Sequence, residues 1–169
     1  VIDDLLALLG HSKYFTSLDL KSGYWQILMS EDDKQKTAFC CHKGLFEFNV
    51  MPFGLATAPA VFQELMSVVL QGIETYAVAY LDDLLIFSPT LDTHLQHIKE
   101  VFSRLRKHGL KLSLKKCQFM QKETNYLGFI ISEEGVKPDP KKVDAIRSLP
   151  APTTVREVRS FIGMCSFYR

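Results

Sequence analysis

Two adjacent acids, Asp82 and Asp83, stand in the middle of an otherwise apolar part of the sequence. The apolar runs Thr75–Ala79 and Leu84–Phe87 flank them, a pattern that predicts the tight turn of a β-hairpin. Two like charges side by side repel each other unless a cation lies between them. Because buried charge must be paired or bound to metal, the pair predicts a site for a divalent ion. A solvated Asp-Asp turn is the alternative.

A third acid, Asp19, lies near the end of the short apolar run Thr16–Leu20. An acid at the end of a predicted central strand is costly to bury without a role. If that strand lies beside the hairpin, Asp19 faces Asp82 and Asp83 across one edge of the sheet. Three such carboxylates suit Mg²⁺, and two bound ions can clamp the attacking and leaving oxygens of a phosphoryl transfer. A simple strand-end cap is the alternative for Asp19.

A basic stretch between residues 101 and 122 contains no acid. Beside an acidic metal centre, it fits a ligand with a phosphate backbone, although a solvated helix face would look similar. Its members are Arg104, Arg106, Lys107, Lys111, Lys115, Lys116 and Lys122.

The composition predicts one folded domain. The chain has 169 residues, of which 47% are hydrophobic and 23% charged, values that exclude a disordered chain. The net charge of +1 is uninformative as a total. The four cysteines lack C-x-x-C spacing, so we predict no zinc site and expect them to be free and buried in a reducing compartment. The sequence shows no signal peptide and no apolar stretch long enough to cross a bilayer, so we expect no membrane partner.

Helices and antiparallel strands alternate irregularly along the chain. This order predicts an α+β fold, with an antiparallel sheet and helices packed on one face of it. The inner face of the helix over 91–108 is predicted to carry Leu95, Ile98, Phe102 and Leu105. The predicted helices are 2–9 (ended by Gly10), 59–72, 91–108, 140–148 (capped by Asp139) and one opened by a capping box of Thr154 and Glu157. The predicted strands are 14–20, 37–41, 45–50, 75–79, 84–87, one around Phe119 and 126–131.

Several of these stretches, in this order and spacing, resemble the core motifs of reverse transcriptases. The three central ones are Ser17–Ile27 (SLDLKSGYWQI), Met51–Gln63 (MPFGLATAPAVFQ) and Tyr80–Asp83 (YLDD). Gly109–Phe119 and Asn125–Phe129 fit as well. The residues of these motifs are similar to those of the gypsy type of LTR retrotransposon, and the resemblance covers essentially the whole chain. It implies the palm of a right-hand polymerase with partial fingers.

The resemblance implies an RNA-directed DNA polymerase that adds dNTPs to the 3′ end of a primer on an RNA or DNA template. Asp19, Asp82 and Asp83 would hold two Mg²⁺ ions, or Mn²⁺ instead, and Leu20 would lend its backbone carbonyl. Such ions lower the pKa of the primer hydroxyl and neutralise phosphate charge. Lys116 matches a position proposed to protonate the departing pyrophosphate, with a plain phosphate contact as the alternative.

The same resemblance assigns residues that bind the nucleotide. Tyr24 resembles the aromatic gate that excludes a 2′-hydroxyl, and a core aromatic is its alternative. Phe53 and Gly54 match the nucleotide-pocket turn, although the family often carries a Gln at the position of Phe53. Four further residues match positions that contact primer or template: Tyr80, Gln63, Leu127 and Gly128. Packing against the sheet is the alternative for Tyr80.

The resemblance divides the chain into a palm with partial fingers over 1–135, fingers-like at about 30–58, and the start of a thumb or connection over 136–169. The chain therefore looks like a fragment of a retrotransposon polyprotein. We expect its RNase H, integrase and protease regions to lie elsewhere in that polyprotein, and the protein to reside in a cytoplasmic retroelement particle, or in the nucleus. Alone, the fragment is expected to extend a primer poorly or not at all.

Two alternatives remain open. An RNA-dependent RNA polymerase shares the palm, but the aromatic at Tyr24 and the Tyr-Leu pair before Asp82 argue against it. A domesticated or decayed element could keep the palm only as a nucleic-acid-binding module. The presence of all three acids argues against decay.

Overall fold

A computed structural model of the chain describes Leu9 and residues 12–167. The predicted first helix and its stop at Gly10 lie outside these residues, except for Leu9. Two 3₁₀ turns occupy Gly23–Gln26 and Gln35–Thr37. The strands are β1 Tyr14–Asp19, β2 Phe39–Cys41, β3 Gly44–Phe46, β4 Ala77–Tyr80, β5 Asp83–Ser88, β6 Gln118–Gln121, β7 Glu123–Tyr126, β8 Phe129–Ser132 and β9 Gly135–Pro138. The helices are α1 Glu31–Lys34, α2 Ala58–Leu70, α3 Leu91–Lys107, α4 Pro140–Arg147 and α5 Val155–Ser166.

The central element is an antiparallel sheet with the strand order β4-β5-β1-β6. Strands β1 and β5 lie in its middle and are rich in apolar residues, because both of their faces are covered. One face packs against helices α2 and α3, as the sequence predicted. In this layer, the ring of Phe62 and the side chains of Leu18 and Leu84 are fully buried.

Helix α3 presents a different face to the sheet than its apolar residues suggested. Leu95 and Phe102 were predicted to face inwards but are 48% and 36% exposed, whereas His94 and Val101 are fully buried. The prediction was correct for Leu105. The helix is rotated because the polar ring of His94 has hydrogen-bond partners in the sheet, so its burial is compensated.

A second sheet, formed by β7, β8 and β9, lies against the other face of the central sheet. Phe15, Leu85 and Phe87 of the central sheet pack there with Tyr126 and Ile131. The last strand, β9, was not predicted. It begins at position 135, where the resemblance places the end of the palm. The predicted division of the chain into palm and thumb stays a prediction.

The hairpin of β2 and β3 projects from the fold between α1 and α2. Phe39 pairs with Phe46 and their rings stack 5.9 Å apart, yet both side chains are 45% exposed. The expectation of buried cysteines was wrong, because Cys40 and Cys41 lie on this exposed hairpin and Cys165 is exposed on α5. The fourth, Cys117, is half-buried, and all four are free as predicted.

The last two helices begin where the sequence predicted. The carboxylate of Asp139 accepts a hydrogen bond from the Lys141 N–H (2.9 Å), and Thr154 and Glu157 form the predicted capping box. No helix in the part of the chain that the structure describes combines the length and apolar character needed to cross a bilayer.

A buried polar cluster joins α3 to the sheet. His94 Nε2 lies 2.7 Å from Thr16 Oγ1 on β1, and His94 Nδ1 lies 2.8 Å from Ser88 Oγ on β5. The same Ser88 hydroxyl contacts His97 Nδ1 at 2.8 Å, and the His97 ring stacks on Tyr76. Burial lowers the pKa of His94 to about 4, so this ring is neutral in the folded chain at neutral pH.

We expect the chain to lose stability as the pH falls below 6.5. The unfolded chain takes up a proton on His94 near pH 6.5, whereas the folded chain resists protonation until about pH 4. Across that interval, the free energy of unfolding should fall by at most roughly 3 kcal/mol from this residue. Urea unfolding at a series of pH values measures it. A His94→Gln chain should show a flatter profile, and an unchanged slope would contradict the assignment.

Candidate active site

The two adjacent acids lie at a two-residue turn, as the sequence predicted. Tyr80 at the end of β4 pairs with Asp83 at the start of β5, and Leu81 and Asp82 form the turn. Leu81 has a positive φ of 53°, a left-handed conformation typical of tight hairpin turns. This geometry places Asp82 at the tip and Asp83 on the first position of a central strand.

The third acid lies directly opposite. Asp19 is the last residue of β1, and its register partner on β5 is Asp83. Side chains of paired residues on neighbouring strands share one face, so these two carboxylates lie side by side. The Leu20 N–H donates to the Asp82 carbonyl (3.4 Å), which ties the end of β1 to the turn. The structure therefore brings the three acids to one edge of the sheet, as expected.

The electrostatics of this edge favour the gain of a positive charge. Burial raises the pKa of Asp82, and the charges of Asp19 and Asp83 raise it further. Burial and the charge of Asp19 also raise the pKa of Asp83. The Oδ1 atom of Asp82 is buried and has no hydrogen-bond partner among the residues that the structure describes. A cation bound here would relieve both the repulsion and the unsatisfied oxygen.

The cationic side chain of Lys116 reaches these acids. The ammonium of Lys116 lies 3.2 Å from Asp19 Oδ2, and its positive charge partly offsets the rise in the pKa of Asp82 and Asp83. Of the predicted basic stretch, Arg104 has another role, because its guanidinium donates to the Val69 and Gln71 carbonyls at the end of α2.

The side chain of Gln63 on α2 holds the hairpin from outside. Its Nε2 donates to the Ala79 carbonyl (3.1 Å), and its Oε1 accepts from the Leu81 N–H (3.1 Å). The amide thus pairs with the free edge of β4 as a neighbouring strand would. These contacts give Gln63 a structural task at the turn; its predicted contact with primer or template stays a prediction.

An aromatic group borders the acids on the helical side. The Tyr24 ring packs against Phe53 (5.2 Å between centroids) and edge-on to Phe62 (5.5 Å). Burial and the charge of Asp82 raise the pKa of Tyr24, so the Tyr24 hydroxyl lies in the electric field of Asp82. Phe53 is 55% exposed, and Gly54 beside it has a φ of +93°. The three residues predicted to bind nucleotide therefore form one wall beside Asp82.

Gly23, which no prediction singled out, lies against Asp82 and the Phe62 ring. A Cβ on this buried glycine would lie 2.8 Å from Asp82 Oδ1 and 2.9 Å from the Phe62 ring. Only a glycine fits between the carboxylate and the buried ring. The sequence shows Gly23 inside a motif but carries no signal that it meets residues 39 and 59 positions away.

The β7–β8 turn approaches the same edge from the second sheet. Leu127 and Gly128 form this turn with positive φ values of 52° and 83°. Burial raises the pKa of the neighbouring Tyr126, and the charges of Asp83 and Tyr80 contribute. Tyr80 itself is 48% exposed. The turn and Tyr80 thus border the acids on the side opposite Tyr24.

The oxygen-rich set at this edge fits a hard divalent cation in its chemistry. In the described part of the chain, however, no three His, Cys, Asp or Glu side chains are arranged as a ready-made metal site. Asp19 is paired with Lys116 instead. Binding of an ion therefore requires the carboxylates to turn towards it.

Residues 2–131 match the sequence profile of the family described as reverse transcriptase (RNA-dependent DNA polymerase). The chain belongs to the reverse transcriptase family. It is 46% identical over 169 residues to the Pol polyprotein of transposon 297 and 44% identical over 166 residues to that of transposon gypsy, both from Drosophila melanogaster. It is 38% identical over 170 residues to the Tf2-3 polyprotein of Schizosaccharomyces pombe. These alignments cover 99%, 98% and 100% of the chain.

This reverse transcriptase domain spans only 16% of the transposon 297 and gypsy polyproteins and 13% of the Tf2-3 polyprotein. Among solved structures, it is similar to the foamy viral protease-reverse transcriptase in complex with double-stranded DNA, with a TM-score of 0.89 and 29% identity. That match covers 97% of this chain and 29% of the viral one. A second foamy viral structure, in complex with an RNA/DNA hybrid, has a TM-score of 0.82 and 28% identity over 96% of this chain and 22% of that one. The resemblance and fold class inferred from the sequence are confirmed.

Proposed function

We propose that this domain adds dNTPs to the 3′ end of a primer as an RNA-directed DNA polymerase, within a retrotransposon polyprotein. One observation carries the proposal. Asp19 and Asp83 face each other on the two central strands, and Asp82 lies in the adjoining turn with a buried oxygen that has no hydrogen-bond partner among the described residues. Such a cluster of acids is costly for a structural protein, whereas metal-dependent phosphoryl transfer requires it.

The proposed cofactor is a pair of Mg²⁺ ions, with Mn²⁺ as a possible substitute. Asp19, Asp82 and Asp83 would hold them together with the Leu20 carbonyl. Bound there, the ions would neutralise phosphate charge and make the primer hydroxyl a better nucleophile. The raised pKa values of Asp82 and Asp83 support this assignment. So does the buried Asp82 Oδ1, which has no hydrogen-bond partner in the part of the chain that the structure describes.

The chain's own side chains would orient the incoming dNTP. Tyr24 and Phe53 form an aromatic wall next to Asp82, against which a sugar ring can pack. Gly54 lacks a side chain, so the nucleotide can approach the backbone closely. Lys116, 69% exposed at its side chain and close to Asp19, can turn towards the departing pyrophosphate and donate a proton from Nζ.

The proposed partner is a primer annealed to an RNA or DNA template. Tyr80 and the Leu127–Gly128 turn lie on the side of the acids opposite Tyr24, where a primer end could rest. The foamy viral relatives are described in complex with double-stranded DNA and an RNA/DNA hybrid, which supports such a duplex as ligand. We further propose that RNase H, integrase and protease regions accompany this domain, and that it acts in a cytoplasmic particle or the nucleus.

The function is tested through Tyr24, by primer extension on oligo(dT)·poly(rA) with the polymerase that carries this sequence. Wild-type protein should incorporate dTTP and reject UTP. Tyr24→Val should keep dTTP extension within about tenfold, because one wall contact is lost, but accept UTP at least roughly tenfold better. Phe161, an exposed aromatic on α5 that lies beside Leu149 and Pro152, supplies the control Phe161→Val, which should leave the preference unchanged.

Two outcomes would contradict the proposal. Preference of the wild-type protein for UTP would indicate an RNA polymerase. Binding of the duplex without any extension would indicate a nucleic-acid-binding module.

A further inference from the structure

The side chain of Gln26 forms an unusual set of hydrogen bonds at the end of the 3₁₀ turn that carries Tyr24. Its Nε2 donates to the Lys21 carbonyl (2.7 Å) and to the Lys111 carbonyl (3.0 Å). Its Oε1 accepts from the Lys111 N–H (2.7 Å). Both hydrogens of the amide nitrogen and the amide oxygen are therefore used, and one residue 85 positions away is held at both of its backbone groups.

These contacts require an amide in one orientation. If oxygen and nitrogen were exchanged, the oxygen would face two carbonyls and the nitrogen would face an N–H. A carboxylate at position 26 would keep the contact with the Lys111 N–H. It would lose both donors and place negative charge against two carbonyl oxygens. Gln26→Glu therefore removes two of the three hydrogen bonds with almost no change in size.

Lys111 is the first residue of a segment that lies along the end of β1. The Lys21 N–H donates to the Lys111 carbonyl (3.0 Å), and Leu20 and Leu112 form an antiparallel bridge. The Ser113 N–H then donates to the Asp19 carbonyl (2.9 Å). Residues 111–113 thus act as a short strand, paired with the backbone next to the catalytic acid.

The same segment carries Lys116 to the acids. After residue 113 the chain turns, and the Lys116 N–H donates back to the Ser113 carbonyl (2.9 Å). This turn places Lys116 Nζ 3.2 Å from Asp19 Oδ2. Since Lys116 is otherwise exposed, its position depends on the backbone of residues 111–113, and Gln26 anchors the first of them.

We propose that Gln26 is a positioning residue that holds the 111–117 segment in place, so that Lys116 reaches the catalytic aspartates. Because Gln26 lies on the turn that carries Tyr24, it also couples the wall of the nucleotide pocket to the lysine. This inference rests on the proposed polymerase function for its kinetic consequence. The positioning itself does not depend on that function.

The kinetic test uses the polymerase that carries this sequence. Gln26→Met removes all three hydrogen bonds, and Gln26→Glu removes the two that Nε2 donates; each should lower kcat for dTTP about tenfold. In a Lys116→Ala background, the same substitutions should change kcat less than about twofold, because the positioned group is already absent. Gln121 is the matched control, since its amide donates to the Phe119 carbonyl two residues away and makes no other hydrogen bond with the described residues. Gln121→Met should leave kcat unchanged.

A second measurement does not require activity. Hydrogen exchange of the 169-residue chain should show protected amides at Lys111 and Ser113, with protection lost in Gln26→Met and kept in Gln121→Met. If protection is lost in Gln26→Met but neither the wild-type polymerase nor any variant extends a primer, the positioning is supported and the proposed function is rejected. Unchanged protection in Gln26→Met would overturn the inference. So would a loss of kcat that is as large without Lys116 as with it.

Discussion

Replacing Asp82 with Asn should abolish primer extension while leaving the fold at least as stable. The amide has nearly the shape of the carboxylate but no charge, so it cannot serve as an anionic metal ligand. We expect the extension rate to fall by at least roughly a thousandfold, because charge stabilisation at the reacting phosphate is the largest contribution to such chemistry. Primer extension by the polymerase that carries this sequence measures the effect.

The stability of the same variant separates function from fold. Burial and the charges of Asp19 and Asp83 raise the pKa of Asp82, so its ionised form is less stable in the folded chain than in the unfolded one. Above the folded-state pKa this charge costs stability, and Asn removes the cost. Urea unfolding at pH 7 should therefore show an unchanged or higher free energy of unfolding.

An exposed acid provides the control. Asp92 lies in the first turn of α3, which follows the end of β5, whereas Asp83 begins that strand; Asp92→Asn should change stability by less than about 1 kcal/mol and leave extension intact. Retention of wild-type activity by Asp82→Asn would remove the basis of the proposed function. A large loss of stability would show instead that the acid supports the fold.

The acids could be predicted from the sequence because each belongs to a local pattern. A pair of Asp residues between apolar runs predicts a hairpin turn, and an Asp at the end of an apolar run predicts a strand end. Their meeting depends only on β1 lying beside β5, which the structure bears out. The helical caps at Asp139 and Thr154 are local in the same way and were correctly predicted.

The errors concern features that depend on distant contacts. Helix α3 carries more apolar residues than one face can bury, and the choice of face was decided by the partners of His94 on β1 and β5. Nothing within the helix indicates those partners. Strand β9 was not predicted because its sequence, Gly-Val-Lys-Pro, has weak strand propensity. The segment adopts a strand conformation because it pairs with β8.

The candidate site shows the same difference between local patterns, which were predicted, and contacts between distant segments, which were not. Its charged residues were found, but Gln26 and Gly23 were not assigned roles. An amide that pairs with the backbone of residue 111 looks in the sequence like any polar residue after a turn. Contacts of this kind link segments far apart in the chain, so single-sequence patterns do not reveal them.

Gly23→Ala should damage both the fold and the site. The added methyl carbon would lie 2.8 Å from Asp82 Oδ1 and 2.9 Å from the ring of the fully buried Phe62. Neither neighbour moves cheaply, because the ring is enclosed by the core and the carboxylate is on a short side chain. Overpacking of this kind costs about 1–3 kcal/mol of unfolding free energy.

The effect on extension should exceed the effect on folding. If the carboxylate yields, Asp82 is displaced from the other two acids, and a shift of about 1 Å costs on the order of a hundredfold in rate. Gly163 provides the matched control, since it lies within α5 and no atom of the described residues comes within 4 Å of its Cβ position; Gly163→Ala should stabilise the chain by about 0.5–1 kcal/mol. Urea unfolding and primer extension on both variants check these values.

A second substitution shows which neighbour yields. Phe62→Leu in the Gly23→Ala chain removes the ring atoms that the methyl meets, while the contact with Asp82 remains. If the ring dominates the strain, stability should recover relative to the two single changes, because neighbouring substitutions are not additive. If the carboxylate dominates, activity should stay low. Wild-type activity in Gly23→Ala alone would mean that the turn has room to move and that glycine is not required beside the acids.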